Sequence, residues 1–156
     1  MPRFDDVKEG EEIPELRKKP GVTQLVKYAA GSGDFNPLHH DFAFPQAKAI
    51  GSIIVHGRFK YASLGQVVSD WLAHEGRIVK LSCQYRGMDF PDKEMVCGGK
   101  VARKWQEEGR KLVQLELWTK NEEGKVTTPG EAVVALDARG AAQPSRSSPS
   151  ERPAVR

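Results

Sequence analysis

The longest helical pattern in the sequence covers residues 57 to 74. Its apolar residues recur three and four positions apart, which places them on one face of a helix: Leu64, Val67, Val68, Trp71 and Leu72. A helix of this length would extend about 27 Å. Because such a helix must bury its whole apolar face, the rest of the chain has to supply a large apolar surface against it.

Four segments after this helix have the composition and alternation of β-strands. They are residues 78–85, 94–105, 112–119 and 126–136. Turn signals at 107–109 and 121–124 separate the last three strands. An earlier strand is predicted over 13–18, although Pro14 weakens it. One long helix followed by an antiparallel meander predicts an α+β domain.

Two short helices are predicted before the long one. Thr23 is the candidate N-cap of the first, whose apolar face contains Val22, Leu25, Val26 and Ala29. Asp41 is the candidate cap of a brief helical turn over 43–47.

Charge and composition predict one domain, residues 1–138, followed by a tail, residues 139–156. The tail is rich in Pro, Ser and Arg and is predicted to be disordered. Its four arginines against one glutamate account for the whole net charge of +3, so the domain is neutral. A neutral domain does not favour nucleic acid as a partner. No apolar stretch approaches the roughly 18 residues of a membrane span, and we expect no membrane partner.

The two cysteines, Cys83 and Cys97, do not form a metal-binding pattern. We interpret them as small apolar residues on strands, which fits a reducing, cytoplasmic location. The histidines show no spacing typical of metal ligands, so no metal is predicted.

A stiff polar loop follows the first helix. Pro37 fixes its own backbone and restricts the residue before it, and Asp34 and His39 flank this turn. A carboxylate and an imidazole that converge on one point can bind and polarise water. The alternative is a solvated turn in which Asp34 and Asn36 satisfy nearby backbone groups.

A second feature is the apolar run at 53–55 that leads through His56 to Gly57, where the long helix begins. The first turn of a helix has free N–H groups, and glycine permits close approach to them. Such a site can stabilise a carbonyl oxygen that gains negative charge. The alternative is a buried joint between the run and the helix.

Together, the two features resemble a known family. The stretch 28–39 contains Gly-Asp-Phe-Asn-Pro-Leu-His after a tyrosine, and 54–57 reads Ile-Val-His-Gly. These resemble the two signatures of the MaoC-like (R)-specific enoyl-CoA hydratases and acyl dehydratases, and a looser likeness extends over about 11–136. The resemblance implies a hot-dog fold, in which a curved antiparallel β-sheet wraps a long central helix, and a homodimer or higher oligomer.

The resemblance also implies roles for individual residues. Asp34 and His39 would be the catalytic pair, Asn36 would position the loop, and the Gly57 N–H would bind the thioester carbonyl. Substrate-binding positions would include Val55, His56, Tyr61 and Arg86, and the phosphates of coenzyme A would meet Arg58, Lys60 or Arg86. The substrate would be an acyl thioester of coenzyme A or acyl carrier protein, with no metal or redox cofactor.

The sequence departs from the family pattern in three places, and two alternative functions are open. Residues 58–61, at the start of the long helix, are more polar and bulkier than in many relatives. Gly65 stands where some relatives have a serine, and residues 92–94 depart from the Gly-Asp that the family carries there. One alternative function is an acyl-CoA thioesterase on the same fold. The other is a subunit that completes the acyl tunnel of a heteromeric dehydratase.

Overall fold

The computed structural model describes residues 2–73 and 75–136. Its elements, in chain order, are β1 (Glu12–Lys18), α1 (Val22–Ser32), a 3₁₀ turn (Pro37–His39), α2 (Pro45–Ile50), α3 (Gly57–Leu72), β2 (Arg77–Cys83), β3 (Met95–Glu107), β4 (Arg110–Lys120) and β5 (Val126–Ala135). The predicted tail, 139–156, lies outside the described residues. None of the described helices has the length and apolar character of a membrane span.

The five strands form one antiparallel sheet in the order β1-β3-β4-β5-β2. Strands β3, β4 and β5 form the predicted meander, but β2 pairs with β5 and lies at an edge of the sheet. Helix α3 contacts all five strands, so the sheet curves around it. The predicted α+β class is confirmed, and the meander after the long helix is limited to β3–β5 because α3 carries the chain across the sheet, so that β2 pairs with β5 and not with β3.

The core lies between α3 and the concave face of the sheet. Leu64, Val67 and Val68 on α3 are almost fully buried, and they belong to the same cluster as Leu115 and Val134 of the sheet. Each such side chain contributes about 1.5–3 kcal/mol through removal of apolar surface from water. Two polar side chains share this buried face of α3, namely Lys60 and Ser63.

The helix ends differ from the predictions in detail. Helix α1 starts at Val22 after Gly21, so Thr23 is not its cap, and Val26 is 48% exposed. Helix α2 starts at Pro45, since the fixed backbone of proline suits the first helical position. Asp41 instead accepts a hydrogen bond from the Ala43 N–H in the preceding turn.

All four strand pairs have a register shift, and the shifts in the edge strands β1 and β2 affect the predicted patterns most directly. Strand β1 accommodates Pro14 because it is an edge strand, with a register shift between Ile13 and Leu16. In β2 the register shifts between Ile78 and Lys80, and the predicted alternation across this strand therefore breaks.

Both cysteines lie on strands, as predicted, and both are free. Cys97 is fully buried, and this burial raises the pKa of its thiol to about 12. Such a thiol stays protonated and inert at neutral pH.

We expect Leu64→Ala to lower the free energy of unfolding by about 2–5 kcal/mol, because it removes a fully buried side chain from the contact of α3 with the sheet. Gln66→Ala, on the exposed side of the same helix, should change it by only about 0.5 kcal/mol. Urea denaturation measures both values. Equal losses in the two variants would contradict this packing of α3.

Candidate active site

The loop between α1 and the 3₁₀ turn is held by its own side chains. Gly33 has φ +73°, which ends α1 and turns the chain into Asp34. The Asp34 carboxylate accepts a hydrogen bond from the Asn36 N–H at 3.4 Å, and the Asn36 side chain accepts one from the Leu38 N–H at 3.0 Å. These bonds are those of the predicted solvated turn, and they also fix the direction of the carboxylate. Asn36 is exposed and acts on the loop itself.

His39 lies at the end of this loop, with only 8% of its surface exposed. Its Nδ1–H donates to the main-chain carbonyl of Ile54 at 2.9 Å. Because a carbonyl can only accept, Nδ1 carries the proton and Nε2 of the neutral ring has a free lone pair. This single bond fixes both the tautomer and the orientation of the imidazole.

His56 lies behind His39 and is fully buried. The two rings stack with centroids 3.9 Å apart at an interplanar angle of 25°. The Nε2–H of His56 donates to the main-chain carbonyl of Asp34 at 3.2 Å, and the Tyr28 ring packs edge-on against the imidazole. His56 therefore connects the loop over residues 34–39 to the first residue of α3.

The charge state of His56 follows from this setting. Burial lowers the pKa of the His56 imidazole, and the nearby His39 lowers it further. Burial also raises the pKa of the Tyr28 hydroxyl, against the opposing effect of Arg58. Both side chains are thus held neutral beside Asp34, whose carboxylate is the acidic group of the cluster.

Helix α3 begins at Gly57, and no described residue accepts a hydrogen bond from the Gly57 N–H. A Cβ at this position would come within 3.1 Å of the Tyr85 ring, so the ring lies directly against the glycine backbone. A cavity of about 370 Å³ opens beside this amide and is lined in part by Val55, Gly57, Tyr85 and Arg86.

The predicted site residues fall into two groups. Asp34, His39, His56 and Gly57 come together at the start of α3, whereas Tyr61 is 39% exposed on the next turn of the helix. The Val55 side chain is buried at the edge of the cavity. The Arg86 guanidinium is exposed and donates to the Gln84 side chain.

Lys60 is placed differently from the prediction. Its side chain is 3% exposed and its ammonium forms an ion pair of 2.9 Å with Asp89 instead of facing solvent. Sequence reasoning missed Asp89 altogether. The sequence feature that could have indicated a buried ion pair is a lysine on the apolar face of α3, three positions after Gly57.

Asp34, His39 and His56 are also a possible set of metal ligands, since one ligand atom from each lies within 4.8 Å of the others. The stacked rings argue against shared coordination, because nearly parallel imidazoles direct their lone pairs side by side rather than toward one ion. The absence of a metal stays a prediction.

The lowered pKa of His56 predicts an acid-sensitive fold. Below about pH 6.5 the unfolded chain binds a proton at this imidazole that the native state resists, so stability falls as the pH falls, by at most about 1.4 kcal/mol per pH unit. We expect His56→Asn to lose less stability than the wild type between about pH 7.5 and about pH 5.5. Urea denaturation at both pH values measures this, with His40→Asn as the control. An unchanged pH dependence in His56→Asn would contradict the neutral, buried imidazole.

Comparisons with known proteins agree with this geometry. Residues 9–123 match the MaoC like domain family. The chain is 29% identical over 122 residues to the (R)-specific enoyl-CoA hydratase of Aeromonas caviae, covering 78% of this chain and 90% of that protein. It is 31% identical over 109 residues to the fatty acid synthase subunit beta of Saccharomyces cerevisiae, covering 69% of this chain but only 5% of that much longer protein.

Solved structures of similar proteins have the same fold. An (R)-hydratase from A. caviae involved in PHA biosynthesis superposes with a TM-score of 0.76 at 26% identity, over 85% of this chain and 98% of that one. The ChsH1-ChsH2 complex from Mycobacterium tuberculosis shares the fold, with a TM-score of 0.71 at 20% identity over 83% and 98% of the chains. The predicted hot-dog fold is confirmed, and the matches agree with the predicted hydro-lyase class. The chain belongs to the MaoC-like domain family.

Proposed function

We propose that this protein catalyses the (R)-specific hydration of trans-2-enoyl thioesters, or the reverse dehydration of (R)-3-hydroxyacyl thioesters. The observation that carries the proposal is the convergence of Asp34 and His39 on a loop that His56 connects to the start of α3. The match to the hydratase of A. caviae supports the same reaction class.

The acid and the base have complementary roles in this reaction. The free Nε2 of His39 and the Asp34 carboxylate hold one water molecule between them. One of the pair takes a proton from the water as its oxygen bonds to C3 and the alkene electrons move toward the thioester oxygen, and the pair then returns that proton to C2 on the same face, which restores the starting state of both side chains. The result is syn addition. Acid–base assistance of this kind contributes about 10²–10⁴-fold in rate.

The Gly57 N–H has a separate role. Addition at C3 builds enolate-like charge on the thioester oxygen, and a fixed donor at that oxygen stabilises the transition state more than the substrate. Since Gly57 starts α3, its N–H has no partner within the helix and is reinforced by the positive end of the helix dipole. Loss of such a donor typically costs about 3–4 kcal/mol.

The thioester would come from coenzyme A or acyl carrier protein, with the acyl or carrier arm in the cavity beside Gly57. Val55 and Tyr85 provide apolar surface there, and the exposed Arg86 suits an anionic carrier. Tyr61 would contact the substrate from the next turn of α3. His56 would hold the His39 imidazole in place by stacking against it. The reaction needs no metal or redox cofactor. Two free cysteines support a reducing, cytoplasmic location.

The proposed function also includes an oligomeric state. Strand β2 lies at a sheet edge, and Val79 on it is 46% exposed. The exposed Tyr61 of α3 donates a hydrogen bond to the Leu81 carbonyl of the same strand. An open edge with exposed apolar residues favours pairing with another chain. We propose a homodimer or higher oligomer, with a heteromer as the alternative that the ChsH1-ChsH2 neighbour illustrates.

Asp34→Asn and His39→Ala should each lower kcat by about 10²–10⁴-fold, since each removes one partner of the water molecule. Loss of the conjugated thioester absorbance with 2-enoyl-CoA substrates of several chain lengths measures the rate. Chiral analysis of the product should give the (R)-alcohol.

Asp41→Asn and His40→Gln are matched controls, because they alter the same residue types within two positions of His39, and both should retain activity. Full activity in both Asp34→Asn and His39→Ala would refute the site. Release of free thiol without loss of the alkene would instead identify a thioesterase.

A further inference from the structure

A buried ion pair lies close to the proposed site. The Lys60 ammonium and the Asp89 carboxylate are 2.9 Å apart, and their side chains are only 3% and 4% exposed. By contrast, the ion pair of Lys80 and Glu131 has side chains that are 62% and 42% exposed. Moving two charges out of water is costly, and an apolar pair of similar size is often as stable or more stable.

The pair is also incompletely satisfied, which argues against stability as its only purpose. The Asp89 Oδ2 accepts hydrogen bonds from Lys60 and from the Thr127 hydroxyl at 2.7 Å, but Oδ1 is buried and has no partner among the described residues. A buried acceptor without a donor lowers stability. The arrangement therefore needs another explanation.

Side-chain and main-chain hydrogen bonds of Lys60 and Asp89 connect segment 87–89 to the chain before and after Gly57. The Lys60 ammonium donates to the main-chain carbonyl of Gly87 at 2.8 Å. The Val55 N–H donates to the main-chain carbonyl of Asp89 at 2.8 Å. Segment 87–89 is thus attached to the chain on both sides of Gly57, through Val55 before it and Lys60 after it.

Helix geometry places Lys60 next to Gly57, the proposed donor to the thioester carbonyl. Lys60 lies three residues after Gly57 on α3, so both are on one face of the helix. Side chains in a helix lean toward its N-terminus, so the Lys60 stem extends back along the first turn. The Tyr85 ring, from the same loop as Gly87, lies against Gly57 from outside. Gly57, Lys60, Tyr85 and Gly87 line one cavity.

We propose that Lys60 and Asp89 are positioning residues that fix the Gly57 N–H and the adjoining wall of the cavity in the geometry needed to bind the thioester carbonyl. The inference rests on the proposed function. The pair touches neither the water nor the alkene, and it acts through Gly57. Its effect should therefore fall on the rate of the chemical step, which depends on the placement of the donor to within a fraction of an ångström.

The main test is the double variant Lys60→Met/Asp89→Asn. It nearly keeps both side-chain volumes, leaves no buried charge and retains an acceptor for the Thr127 hydroxyl. Lys60→Met alone should lower the melting temperature by roughly 10 °C or more, since it leaves a buried carboxylate unpaired. The double variant should recover most of that loss. It should still show kcat reduced by about 10–100-fold with little change in KM.

Two further variants provide a control and a second test of the positioning role. Lys93→Met/Glu122→Gln removes an exposed ion pair and should leave kcat unchanged. Asp89→Glu keeps both charges but lengthens the connection by one methylene group, so it should fold and also lose kcat. Wild-type kcat in either the double variant or Asp89→Glu would overturn the proposal.

A spectroscopic readout separates this proposal from the proposed function. The amide resonance of Gly57 should shift in the folded double variant and keep its position in Lys93→Met/Glu122→Gln. If the wild type hydrates no enoyl thioester, the proposed function fails, and the resonance still decides the positioning role. An unshifted Gly57 amide in the double variant would overturn it.

Discussion

Two side-chain hydrogen bonds, together with the main-chain bond from the Ile54 N–H to the Leu38 carbonyl, hold the loop after α1 against the segment that leads into α3, and the site depends on them. One runs from His39 to the carbonyl of Ile54, and the other runs from His56 to the carbonyl of Asp34. Each side chain is thereby fixed by the backbone of the segment opposite. The stacked imidazoles fill the space between the two segments and exclude water from it. Oriented imidazole rings beside one carboxylate are what acid–base chemistry at a bound water molecule needs.

The larger fold provides the rigid support for this arrangement. Helix α3 is buried along most of its length by a sheet that contacts it from all five strands, so its first residue cannot move freely. The start of a helix is the place where a backbone N–H lacks a partner, and a buried helix keeps that N–H in a constant direction. The Lys60–Asp89 pair adds a local connection from the same helix to the loop that covers Gly57.

Much of this organisation could be predicted from the sequence, because its signals are local. Periodicity identified α3 and the strands, and the compact run from Asp34 to His39 identified the candidate loop and the family. The missed features depend on contacts between distant residues. Lys60 and Asp89 are 29 positions apart, and each alone resembles a surface charge. The pairing of β2 with β5 and the register shift near Val79 are contacts between distant strands, which no single segment shows.

The most direct test of the central claim is a crystal structure with a saturated acyl-CoA, which binds but cannot be hydrated. The account predicts that the thioester oxygen lies about 3 Å from the Gly57 nitrogen. It also predicts that Asp34 and His39 share one water molecule facing C3. A thioester oxygen bound away from Gly57, with Asp34 and His39 directed elsewhere, would contradict it.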